Sequence, residues 1–128
     1  YIDTSKSEIT VANAGHWSPL LIQEKGMFTE WAKSLPIGWE QDMTYDETTV
    51  SIHSGDRIVL YTDGIIETRN SEGAMFGYDN FQSQVMKDND DDGELLVDNV
   101  VKVIRQWAEL GQNEGFEDDV TIMVLDIV

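Results

Sequence analysis

The chain contains no cysteine. That excludes disulfides and thiolate metal sites, and it fits a reducing compartment, so a cytoplasmic location is the expectation. Positive charge is scarce: 8 Lys and Arg stand against 25 Asp and Glu, for a net charge of −17. Phosphate backbones and anionic bilayers need basic faces, so neither nucleic acid nor a membrane is an expected partner. No apolar run nears the roughly 20 residues that cross a bilayer. No signal-like segment is present. A Gly-rich phosphate loop, a Gly-x-Ser-x-Gly elbow and a cysteine nucleophile are all missing, which removes P-loop nucleotide hydrolysis and thiol phosphatase chemistry. The surplus carboxylate suits divalent cations or a basic partner face, although excess acid is ordinarily solubilising surface.

What is present is a globular composition, 128 residues of which 41% are hydrophobic. One domain over residues 1–128 is expected, with no internal boundary and no repeat. The chain opens in strand-like Tyr1-Ile2-Asp3 without an initiating Met, so the expectation is a chain that begins partway through a larger protein. Tyr1 to Asp3 and Glu8 to Ala12 read as strands around Ser5-Lys6-Ser7. Leu20 to Gln23 and Met27 to Trp31 read as a hairpin, and Thr48 to Ile52 turns through Ser54-Gly55-Asp56 into Arg57 to Thr62. Arg57 to Thr62 and Val120 to Ile127 are apolar on both faces, which predicts central strands of a layered fold. Tyr78 to Lys87 and Glu94 to Leu110 carry helical apolar stripes. Leu96, Val100, Val103, Trp107 and Leu110 face inward in the second helix, and Gly111 is its stop. The fold class that fits is α+β, a mostly antiparallel sheet system with helices packed on it.

Two acidic sites punctuate this pattern. Asp63 ends the first two-faced strand in Tyr61-Thr62-Asp63-Gly64, and Asp118-Asp119 opens the second before Val120-Thr121. Taken singly, Asp-Gly is a turn former and paired acids at a strand start are edge protection. Neighbouring strands would bring the carboxylates together at a sheet rim, where they repel unless a cation lies between them. Hard oxygen ligands suit Mg²⁺ or Mn²⁺. Alternation puts Asp118 and Asp119 on opposite faces, so only one need reach a shared ion. Gly64 permits close backbone approach or an unusual turn beside the site, and Glu67 reads as an exposed carboxylate in preference to an acceptor supporting the site. His16, in the small-residue loop Asn13-Ala14-Gly15-His16, has no second His or Cys nearby and reads as structural or as support for the site. His53 reads as surface.

Calcium is the competing ion. Asp88, Asp90, Asp92 and Gly93 match positions 1, 3, 5 and 6 of an EF-hand loop between two helices, but Asn99 stands where a bidentate Glu is needed.

Together Asn13-Ala14-Gly15-His16, Leu35-Pro36-Ile37-Gly38, Gly55-Asp56-Arg57-Ile58-Val59-Leu60-Tyr61-Thr62-Asp63-Gly64, Glu67, Phe76-Gly77 and Asp118-Asp119-Val120-Thr121 resemble the C-terminal part of bacterial PPM-type serine/threonine phosphatases of the SpoIIE and RsbU kind. The resemblance implies a partial β-sandwich with flanking helices in αββα layers, the N-terminal segment of the domain being absent. It implies two Mn²⁺ or Mg²⁺ ions in the intact domain, with Asp63 and Asp118 as metal ligands and Asp119, Gly64 and His16 beside the site. No catalytic residue beyond a metal-bound water is implied. The family's Asp-containing, Gly-rich segment, whose Asp bridges both ions, has no counterpart here, so this fragment alone is expected to be inactive. The implied substrate is a phosphorylated protein of the anti-sigma-factor antagonist type, in partner-switching control of transcription. A homodimer is a secondary expectation. The alternative is a non-catalytic regulatory module that binds a partner protein on the same scaffold.

Overall fold

The computed structural model describes residues Tyr1–Val128. The element order is β1 (Ile2–Asp3), β2 (Glu8–Ala12), β3 (Leu20–Gln23), β4 (Gly26–Phe28), β5 (Glu47–Ser51), β6 (Arg57–Tyr61), α1 (Asp63–Glu67), α2 (Tyr78–Lys87), α3 (Gly93–Trp107) and β7 (Ile122–Asp126). One sheet has the order β1-β2-β5 and the other β4-β3-β6-β7. β1 with β2, β2 with β5, β3 with β4 and β3 with β6 all pair antiparallel. The result is an α+β fold of two sheets with flanking helices. The chain divides into two compact units, Tyr1–Leu60 with Leu125–Val128, and Tyr61–Val124.

In the first unit the two sheets share one core. Ile9 of β2 meets Leu21 of β3 and Ile58 of β6 in a cluster with Trp31 and Ile52, and Val11, Val50, Leu60, Leu125 and Ile127 pack around it. Residues two apart on β2 and on β6 enter this cluster because strand side chains alternate between faces. Trp31 lies beyond β4, which ends at Phe28 and so stops short of the predicted strand. Its indole Nε1 donates to Pro19 O at 2.7 Å and its ring meets Phe28 edge-on, so side-chain packing holds it in place of a ladder. Gly15 adopts a φ of +88°, and a Cβ there would lie 2.6 Å from Pro36 Cγ. The small-residue loop thus lies directly on the Leu35–Gly38 loop, and Ser34 N–H donates to Asn13 O.

In the second unit α2 packs on both α1 and α3. Phe81, Val85, Leu96, Val100 and Ile104 are fully buried. The α3 stripe runs Leu96, Val100, Ile104, at strict four-residue spacing, with Ile104 in the place expected for Val103. Each such burial contributes about 1.5–3 kcal/mol, which outweighs differences in helix propensity and sets the face. α3 also ends earlier than predicted, at Trp107. Glu109 takes the left-handed conformation (φ 56°) and Leu110 N–H returns to Arg105 O, a Schellman-type stop made two residues before Gly111.

β7 corrects a further expectation. It is an end strand of its sheet, next to β6, and its Met123 is 53% exposed. Apolar residues on both faces of β7 therefore mark neither a central place in the sheet nor cover on both faces.

Candidate functional site

The second unit gathers Asp63 and the Asp118-Asp119 pair around one threonine. β6 runs into α1 without a loop, and Thr62 is the N-cap residue. An N-cap Thr normally accepts from an amide in the helix's first turn. Here its hydroxyl makes no such bond. It donates to Asp119 O at 2.9 Å and accepts from Thr121 N–H at 2.9 Å. Thr62 N–H also donates to Thr121 O at 3.1 Å. The residue on the far side of Asp63 makes the same contact by a different means. A Cβ on Gly64 would lie 2.5 Å from Asp119 O, inside any tolerable contact. Thr62 and Gly64 therefore press one carbonyl from both sides of Asp63, and the Asp118-Asp119 backbone is held against the start of α1.

α1 is short, but it is anchored. Ile65 and Ile66 are buried and Thr68 Oγ1 donates to Gly64 O at 2.5 Å. Sequence periodicity missed this helix because five residues carry barely one turn, with a glycine inside it. Tyr61, the last residue of β6, is buried with its ring 4.5 Å from that of Phe81. Burial, with Tyr78 beside it, pushes its phenol well above the usual tyrosine range, so it stays neutral.

The three acids themselves are exposed. Asp63 Oδ1 accepts only the Gly64 N–H at 3.1 Å, and Asp118 Oδ1 only the Asp119 N–H at 2.7 Å. Each of these two carboxylates keeps one oxygen uncommitted. A cavity of about 210 Å³ lies beside Asp118, lined also by Gly64, Glu67, Arg69, Leu110 and Phe116; Asp63 is not among its lining residues. Asp118 lines it and Asp119 does not; both precede β7, which begins at Ile122, so strand alternation does not govern them. No group of three or more His, Cys, Asp or Glu side chains is disposed to hold a metal ion.

The remaining candidates belong to the first unit or to the segment between α2 and α3. His16 is exposed in the first unit, its Nδ1 2.8 Å from Trp17 O and its N–H donating to Asn13 Oδ1. This makes it part of a loop brace. His53 is largely exposed, 3.8 Å from Asp56. The EF-hand-like run does helix capping instead. Asp92 is the N-cap of α3 and accepts from Leu95 N–H at 2.9 Å, Asp88 closes α2 and accepts from Gln84, and Asp91 accepts from Asn99 Nδ2. Thr62 is the site residue that sequence reasoning passed over. A Thr before Asp-Gly reads as an ordinary cap, and only the folded pairing reveals its other use.

The sequence profile of the family described as Stage II sporulation protein E (SpoIIE) matches residues 1–128. Phosphoserine phosphatase RsbU of Bacillus subtilis (strain 168) is 28% identical over 122 residues, 94% of this chain and 35% of RsbU. The chain therefore spans about a third of that relative's length. Among solved structures, the SiaA-PP2C domain of Pseudomonas aeruginosa superposes with a TM-score of 0.77 at 18% identity, over 99% of this chain and 49% of that one. The RsbU and RsbW domains of Rv1364c from Mycobacterium tuberculosis give 0.76 at 21% identity, over 98% of this chain and 34% of that one. At these identities the structures speak for the fold alone, and the fold agrees. The chain belongs to the SpoIIE family of PPM-type phosphatase domains.

Proposed function

We propose that residues 1–128 supply part of the metal centre of a protein serine/threonine phosphatase, acting as a single truncated PPM-type domain. The observation that carries this reading is the Asp119 carbonyl held by Thr62 and Gly64, which sets Asp63 and Asp118 on facing backbone segments. Asp63 and Asp118 would hold Mn²⁺ or Mg²⁺, whose preference for hard oxygen matches two exposed carboxylates with uncommitted oxygens. Such an ion, when bound, supplies an activated water and neutralises phosphoryl charge. Thr62 fixes the spacing of the two segments, and Gly64 admits the close approach. Asp119 and His16 lie outside the ligand set. Two carboxylates are fewer than the roughly six ligands these ions take, so in a working enzyme other groups complete the shell.

The substrate we infer is a phosphoserine- or phosphothreonine-bearing protein of the anti-sigma-factor antagonist type, in cytoplasmic partner switching. RsbU and the further relative RsbP, 33% identical over 67 residues, are both named as phosphoserine phosphatases. The test is Mn²⁺-dependent release of phosphate from a phosphoserine peptide by the intact protein. Asp63→Asn and Asp118→Asn should each abolish turnover; full turnover in both contradicts the assignment. The lack of any three-carboxylate group favours a second reading, a non-catalytic partner-binding module. Bound Mn²⁺ with no turnover by the intact protein would establish that one. A homodimer, our secondary proposal, is checked by sedimentation of the chain over a range of concentrations.

A further inference from the structure

We propose that Arg105 is a positioning residue for Asp118, a role that rests on the reading of Asp63 and Asp118 as ion ligands. Arg105 lies in the last turn of α3, one residue after fully buried Ile104, so its own anchor is rigid. Its Nη2 donates to Gly111 O and, at 2.9 Å, to Glu114 O. Its guanidinium carbon stands 5.6 Å from the centroid of the Phe116 ring. One planar cation thus holds residues 111, 114 and 116 of a segment with no regular secondary structure. The segment also folds on itself: Gly111 N–H donates to Glu114 Oε2 at 2.7 Å, and Glu114 N–H to Gly111 O at 3.2 Å.

Asp118 follows Phe116 by two residues, and both line the cavity that Gly64 also lines. Exposed Gly111 and Gly115 would otherwise leave this stretch free to sample many conformations. Arg105 carries the rigidity of α3 across the loop to the carboxylate, and the planar fork suits the task in a way an ammonium does not.

A purely electrostatic role predicts the opposite sign. Glu117 lines the cavity with Asp118, and removing a nearby positive charge leaves such a site more negative, which tightens a divalent ion. Loss of positioning loosens it.

The experiment is Mn²⁺ titration of the intact protein, free Mn²⁺ being read by electron paramagnetic resonance, with hydrogen exchange followed at Gly111–Asp118. Arg105→Gln should weaken Mn²⁺ by about tenfold or more, as loss of a ligand's supporting contacts commonly does. Exchange should speed up at 111–118 and stay unchanged at 94–104. Arg105→Lys keeps the charge and should weaken Mn²⁺ nearly as much. Phe116→Leu, which keeps the apolar contact and removes the π face, should act in the same direction to a smaller extent, and it serves if Arg105→Gln does not fold. Unchanged or tighter Mn²⁺ binding in the variants overturns the proposal. Asp118→Asn is measured alongside: if it leaves Mn²⁺ binding intact, the ion site itself is wrong, which is a different failure.

Discussion

Two stretches of this chain are rich in aspartate, and their carboxylates do different work. Within Asp88–Asp92, Asp88, Asp91 and Asp92 are bonded to side-chain or backbone donors that close one helix and open the next. At Asp63 and Asp118 each carboxylate takes a single bond from its own following amide, and the backbone around them is pressed together. The first stretch has the greater density of charge, and the sequence pattern of a calcium loop besides. The second has its acids on two backbone segments that Thr62 and the bare Gly64 bring into contact. Where the fold brings acids together distinguishes the two stretches, and density of charge is a poor guide to that.

The sharpest way to break this contrast is Gly64→Ala. Helix propensity alone would favour Ala in α1 by up to about 1 kcal/mol. The clash with Asp119 O reverses the sign, and we expect a net loss of about 1–3 kcal/mol in urea unfolding, with Mn²⁺ binding lost. A neutral or stabilising effect would mean that the two segments are not held in contact. Thr62→Val comes next. It removes both hydroxyl bonds, leaves Thr121 N–H and Asp119 O short of a partner, and should cost about 1–2 kcal/mol, whereas Thr62→Ser should restore most of it.

Asp92→Ala should cost about 1 kcal/mol of stability through the lost cap and leave Mn²⁺ affinity unchanged. Asp63→Asn should do the reverse, costing little stability and most of the Mn²⁺ affinity, as paired denaturation and titration will read. The smallest expected effect is Glu109→Gly. Relief of the left-handed backbone gains up to about 1 kcal/mol, offset by the lost Ser71–Glu109 bond. The thermal midpoint should rise by a few degrees at most.

Much of this organisation is legible in the sequence, for physical reasons. Tyr78–Lys87 is found with its bounds intact because its ends carry local signals: Phe81 and Val85 at four-residue spacing, Gly77 before and Asp88 after. β2 and β3 are equally plain. Asp63 and Asp118 stand out because each interrupts a strongly apolar run. The features that escape are those decided by tertiary contact. Thr62 bonds Asp119 and Thr121 in preference to capping its own helix. Ile104 displaces Val103 because the neighbouring helix selects the buried face. Glu109 stops α3 although Gly111 is the better-suited residue nearby, since the Schellman bonds and Ser71 hold it there. The position of β7 at the end of its sheet depends on its neighbours and not on its own residues.

The central claim is that one divalent ion touches Asp63 and Asp118 together, and Mn²⁺-induced line broadening in an amide-resolved NMR spectrum of the chain tests it most directly. Substoichiometric Mn²⁺ should broaden Thr62–Gly64 and Asp118–Val120 in parallel, with one midpoint and no effect in Asp63→Asn. Broadening centred on Asp88–Asp92, or at only one of the two segments, would contradict it.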